Sequence, residues 1–165
     1  MVSFNYEKQS GSASNQFAVW IENIDGQFIK TLYATGFTAK GGYKNRPDSL
    51  VLWVEKSGLA SMSKAEVDAV SAATPKAGTL SYTWDLTDID GVIVPNGEYR
   101  FFVEGTLRWK NFVLYSGVIK VGDSPATAFA DAEYIYEDSE RYAALTDAAV
   151  ENNMIGPVTA EFIPD

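Results

Sequence analysis

Three carboxylates within six residues, Asp85, Asp88 and Asp90, form a dense set of hard oxygen ligands, the kind that calcium prefers. An EF-hand loop would also need an acid or amide where Leu86 stands and a glutamate where Gly97 stands. The other reading of the segment is a turn at Asp90-Gly91 with positive φ at the glycine, Asp85 and Asp88 accepting loop amide protons. On that reading no metal is expected. Glu137, Asp138 and Glu140 make a second acidic run, and nothing pairs it with an apolar pocket that would raise a pKa for acid–base work. The chain has no histidine and no cysteine, which removes Ser-His-Asp and Cys-His catalysis, thiolate chemistry, disulfides and the usual zinc sites. A chain so equipped is not expected to be an enzyme in its own right.

Aromatic side chains offer binding rather than catalysis. Of the four tryptophans, Trp84 alternates with Leu80 and Tyr82, and Trp53 lies in an apolar run, so core is the expectation for both. Trp20 opposes the apolar set Phe17, Val19 and Ile21, and Trp109 lies beside Lys110 and Asn111. Those two are the candidates for an exposed surface that anchors a protein or stacks on a sugar ring.

Composition bounds the rest. At 46% hydrophobic and 21% charged residues, 165 residues suffice for one domain with its own core. The net charge of −9 disfavours nucleic acid and anionic lipid as partners, although a local basic spot can still hold one anion. No apolar run has the length of a membrane span. The N-terminus lacks the apolar core of a signal peptide, so an exported protein would have lost its address before this sequence begins.

Period-two alternation supplies the elements that would position any site. Met1–Asn15, rich in Ser, Gly, Asn and Gln, reads as a flexible leader, with one domain over residues 16–165. Strands are expected around Phe17–Ile21 and Phe28–Tyr33, joined by an Asp25-Gly26 turn. Further strands are expected at Leu50–Glu55, Thr79–Asp85, Tyr99–Val103, Val113–Val121, Tyr134–Tyr136 and Val158–Phe162. Tyr33–Pro47, rich in Gly and Lys, reads as the longest and most mobile loop. Ser63-Lys64-Ala65-Glu66 fits a capping box that starts a helix, and Pro75 forbids its continuation past Thr74. Ser139–Asn152 could hold a second short helix or a loop. The fold class is therefore mainly β, an antiparallel immunoglobulin-like β-sandwich with a short helical insertion near Ser63–Ala73.

Two segments carry a resemblance. Trp84–Tyr99, with its Val94-Pro95-Asn96-Gly97-Glu98-Tyr99 end, resembles a run in the Ig-like domains of flagellar hook-capping proteins and many bacterial surface proteins. Val67–Pro75 is similar to the Asp-x-x-Ser-Gly-Ala-Thr signature of bacterial envelope proteins that carry FMN on a threonine through a phosphoester. Subunits of sodium-pumping NADH:quinone reductases and Rnf-type complexes bear that signature. With Leu114-Tyr115-Ser116-Gly117 downstream, the two segments resemble a family of predicted periplasmic proteins of unknown function, over Phe17–Val121 closely and through Pro164 loosely.

The resemblance implies export to the periplasm or cell surface and a site with named parts. Thr74 would carry the FMN covalently, Asp68 would be recognised by a separate magnesium-dependent flavin transferase, and Ser71 and Ala73 match the signature. Lys76 would pair with the phosphate. Envelope redox proteins would be the partners. Ala72 replaces the signature's glycine, and alanine is expected to extend the helix, leaving Thr74 at a helix C-terminus where the macrodipole disfavours a phosphate. The alternative is a cofactor-free Ig-like module that docks a protein or glycan through edge strands and the Tyr33–Pro47 loop.

Overall fold

Alternating apolar and polar residues fold here as two facing sheets. The computed structural model describes residues 1–9, 14–107, 111–135 and 154–164. Among these, ten strands are described: β1 (Val2–Tyr6), β2 (Gln16–Asn23), β3 (Phe28–Thr35), β4 (Ser71–Ala72), β5 (Gly78–Tyr82), β6 (Gly97–Thr106), β7 (Phe112–Val121), β8 (Ala126–Phe129), β9 (Asp131–Ile135) and β10 (Thr159–Phe162). One sheet has the order β5-β1-β10-β8 and the other β4-β3-β2-β6-β7-β9. The β2–β3 connection is the expected hairpin: Gly26 takes φ 83°, and Asn23 N–H donates to the Gln27 carbonyl at 2.9 Å.

The inward faces build one core from Phe4 and Tyr6 of β1, Phe17, Val19 and Ile21 of β2, and Phe101 and Val103 of β6. Trp84 closes one part of it, as its alternation with Leu80 and Tyr82 predicts. Its indole N–H donates to the Thr87 carbonyl at 2.8 Å and its ring meets Tyr99 edge-on with centroids 5.0 Å apart. Tyr99 Oη in turn donates to the Pro95 carbonyl at 2.6 Å, so the Trp84–Tyr99 run is a loop tied to the core at both ends.

Alternation breaks down on β2, where Gln16 through Glu22 are all buried. The six-stranded sheet is covered on part of its outer face as well, over β2 and the second half of β6. Three short helices, α1 (Gly36–Ala39), α2 (Val51–Lys56) and α3 (Lys64–Val70), accompany a second apolar cluster of Ala18, Trp20, Phe102, Leu50, Trp53 and Leu59. Trp20 stacks on Phe102 with centroids 5.0 Å apart and planes 10° from parallel, and it is 1% exposed. The sandwich thus carries a third, helical layer.

That layer corrects two expectations, and β1 corrects a third. Leu50–Glu55 is not a strand. Leu50 adopts a left-handed backbone (φ 53°), and the chain then turns into α2, placing Leu50 and Trp53 three residues apart on the sheet-facing side. A short apolar run has the same composition as a buried strand, and its buried i, i+3 pair is what separates the two. The buried Glu104 carboxylate on β6 stabilises this start: Oε2 accepts from Trp53 N–H at 2.8 Å and Oε1 from Leu52 N–H at 3.3 Å. Tyr33–Pro47 is not an open loop but holds the end of β3, α1 and a 3-10 turn at Gly42–Lys44. Buried Thr38 there meets the Ser49 hydroxyl at 2.7 Å. Met1–Asn15 is not wholly a leader, since Val2–Tyr6 pairs with β5 along its whole length and buries Phe4 and Tyr6. Three buried apolar side chains at alternate positions outweigh the polar residues around them. The helix considered at Ser139–Asn152, like Tyr136, lies outside the described residues.

Candidate functional site

The capping box is formed as its sequence predicts: Ser63 Oγ accepts from Glu66 N–H at 3.3 Å, and Glu66 Oε2 accepts from Ser63 N–H at 2.6 Å. These bonds also hold the Glu66 carboxyl below the usual carboxylate range. The helix they start, α3, ends at Val70. Ser71 is already extended (φ −121°, ψ 142°), and Ser71-Ala72 forms β4, which pairs parallel with Ala34 and Thr35 of β3. Alanine at 72 therefore does not prolong the helix. It sits in strand geometry and is absent from the positive-φ residues, so a Cβ there costs no backbone strain. The expectation that Thr74 terminates a helix is corrected by the same pairing: the edge of β3 captures the chain at Ser71, before Thr74 is reached.

Beyond β4 the chain leaves the edge of one sheet and enters β5 on the edge of the other, so residues 73–77 cross the open side of the sandwich. Tyr33 of β3 and Tyr82 of β5 meet beneath that crossing, with ring centroids 4.7 Å apart, and Tyr33 also stacks on Phe17 at 5.1 Å. The Tyr33 hydroxyl donates to the Ala73 carbonyl at 2.8 Å. Burial pushes the Tyr33 phenol up to about 12 and raises that of Tyr82 as well, so both rings stay neutral over the physiological range.

The four residues singled out in the sequence fall along this path without converging on one point. Asp68 is exposed on α3 and pairs with Lys40 at 2.9 Å, and this hydrogen-bonded ammonium holds its carboxyl below the usual range. Ser71 turns inward, its hydroxyl buried without a hydrogen-bond partner. Thr74 is half-buried on the crossing and Lys76 is exposed two residues further on. Two contributors escaped sequence reasoning: Lys40, which neutralises Asp68, and Tyr33, which fixes the carbonyl before Thr74. Both lie in or beside the Gly- and Lys-rich Tyr33–Pro47 stretch, and its lysines were the available signal.

The acidic loop takes its plain reading. Asp85 pairs with Lys30 at 2.9 Å and accepts from Thr87 N–H, and Lys30 also contacts the Thr87 hydroxyl. Asp88 Oδ1 accepts from the backbone N–H groups of Asp90 and Val92, each at 2.9 Å, and Gly91 takes φ 77°. Among the described residues no group of three or more acidic side chains is placed to hold a metal ion. Trp20 is corrected from a candidate exposed anchor to a buried residue, because α2 and its neighbours cover the face it points from. Trp109 and the acidic run at 137–140 lie outside the described residues.

A family model described as predicted periplasmic protein (DUF2271) matches residues 2–136. The chain belongs to this family. The match begins at the first residue of β1 and runs through β9, so it covers the whole six-stranded sheet, the helical layer, the α3–β5 crossing and the other sheet except β10. Membership of the DUF2271 family supports a periplasmic location and leaves the role open. No curated protein and no solved structure matches the chain. Among the described residues no helix is long and apolar enough to cross a membrane.

Proposed function

We propose that this DUF2271 protein is a periplasmic, non-enzymatic electron carrier that holds FMN as a phosphoester on the Thr74 hydroxyl. The observation that carries the reading is the extended backbone of Ser71-Ala72. It removes both physical objections to the site, since alanine fits the strand as well as glycine would and Thr74 stands clear of the negative end of α3. Thr74 then lies on a sheet-to-sheet crossing, half-buried, with exposed Lys76 close enough in sequence to pair with a phosphate. Exposed Asp68 is available upstream for recognition by a transferase. Bound FMN would supply one- and two-electron chemistry, and the protein would supply the tether and a partner surface.

Attachment requires a separate flavin transferase and an activated flavin nucleotide. The Thr74 oxygen–phosphorus bond forms as the bond from that phosphorus to its departing phosphate breaks, and the hydroxyl proton leaves to the enzyme's base. Ser71 faces inward and β4 spans two residues only, so the transferase would engage the segment after β4 lifts from β3. The rival reading, a cofactor-free module for a protein or glycan, loses one of its two aromatic anchors because Trp20 is buried.

Co-expression with a flavin transferase, followed by intact mass, tests the proposal. The expected result is a mass increase of one FMN less a water, which disappears in Thr74→Val. No adduct, or one that survives the substitution, removes the flavin reading.

A further inference from the structure

On the outer side of the helical layer, a cleft of about 560 Å³ opens between the α1 segment and α3. Its walls differ in kind. Leu59 is buried, and Tyr43 and Met62 are half-buried against the outer apolar cluster, so the floor is continuous with packed core. Lys40, Lys44 and Lys64 are exposed at the rim. A chain with 13 basic and 22 acidic residues has thus gathered three lysines around one cavity, against a single lining carboxylate, Asp68. Coulomb repulsion between neighbouring ammonium groups disfavours such a grouping unless a negative charge relieves it.

Local backbone geometry holds the rim in place. Gly41 takes φ 102°, and a Cβ on Gly42 would stand 2.3 Å from the Phe37 carbonyl oxygen, so the turn that carries Tyr43 and Lys44 needs glycine at both positions. Lys40 is fixed by its 2.9 Å pair with Asp68, and Lys44 lies over the Tyr43 ring with its ammonium 5.8 Å from the centroid. The cavity has the volume of an ordinary small-molecule site, with an apolar floor and a few polar groups placed to orient the ligand.

We infer that this cleft binds a small soluble amphipathic anion, a compact apolar or aromatic body that seats on Tyr43, Leu59 and Met62 while its carboxylate, sulfonate or phosphate meets Lys40, Lys44 and Lys64. The inference does not rest on the flavin reading, because Thr74 is not among the lining residues. Asp68 tunes the site by neutralising Lys40, and an arriving anion competes with it.

The test uses the full, unflavinylated chain and two fluorescent probes of similar shape, anilinonaphthalene sulfonate and neutral N-phenylnaphthylamine. The sulfonate is expected to bind about tenfold more tightly at low salt, a preference that shrinks as salt rises. Joint substitution Lys40→Gln, Lys44→Gln and Lys64→Gln removes the preference. Asp68→Asn strengthens sulfonate binding about threefold, a gain that a merely apolar surface would not give and that needs no lysine variant to fold. Thr74→Val leaves all of these values unchanged. Backbone amide shifts on sulfonate binding should map to residues 39–44 and 59–68. Equal affinity for the two probes, no binding, an unchanged Asp68→Asn variant, or shifts confined to a separate cavity lined by Trp84, Leu86 and Phe162, would each overturn the inference.

Discussion

Glu104 is fully buried, on the face of β6 that meets α2, and its carboxyl is flanked by backbone amides. Burial pushes it from an ordinary 4.5 up to about 7, while the N–H groups of Trp53, Leu52 and Val51 pull the other way. A raised acid in the folded state has a definite consequence for stability. Below 4.5 both states are protonated and the contribution of the proton is whole. Between 4.5 and about 7 the unfolded chain has released a proton that the folded chain keeps, so stability falls as pH rises and levels off above the folded value. The loss is on the order of 3 kcal/mol across that window. Urea denaturation of the wild type and of Glu104→Gln at a series of pH values checks this. The variant should show a flatter profile, and parallel profiles would sink the assignment.

The helices are too short to persist alone, so each depends on a specific device at its start. For α3 the device is the reciprocal Ser63–Glu66 pair. Ser63→Ala should cost about 1 kcal/mol in urea denaturation, with faster amide exchange at Glu66 and Val67. An unchanged variant would mean that packing of Val67 alone holds the helix. For α2 there is no side-chain cap at Leu50, and Glu104, 51 residues beyond Trp53 in the chain, takes that role. This difference explains which helix was legible. The capping box is local and reads directly from four residues, whereas a cap supplied from another strand leaves no mark in the sequence of the helix itself. The alternation of β5 was legible for the same reason as α3, since one face meets the core and the other meets solvent, whereas β6 is buried on both faces from Phe101 onward.

At the scale of the molecule, the six-stranded sheet is buried on both sides along β2 and the second half of β6, and Trp53 links it to the helical layer. Its indole N–H donates to the Thr31 hydroxyl at 3.0 Å and its ring is fully buried beside Leu50. Trp53→Ala should lower stability by about 3–5 kcal/mol through the cavity left behind and the stranded Thr31 hydroxyl. Calorimetry checks this, and a loss under about 1 kcal/mol would mean that the layer is only loosely attached. If the layer loosens, Trp20 should become accessible to a collisional quencher in the same variant. The layer is also what brings Lys40 to Asp68 and sets three lysines around one cleft, a grouping drawn from residues up to 24 positions apart.

By itself the sequence determined a mainly β fold, the Asp25-Gly26 hairpin, the start of α3 at Ser63 and the absence of histidine and cysteine chemistry. The hairpin and the helix start depend on residue types within a few positions of one another, and the rest on composition and period-two alternation along the chain. The Val67–Pro75 segment was also visible, as was its departure at Ala72. Only the tertiary structure decided what that departure means. Ser71-Ala72 pairs with an edge of β3 made of residues far away in the chain, and this pairing, rather than the helix propensity of alanine, fixes the backbone before Thr74. The burial of Trp20 and the conversion of Leu50–Glu55 from strand to helix have the same origin. In each case a local preference was close to balanced, and contacts from distant strands supplied the deciding free energy.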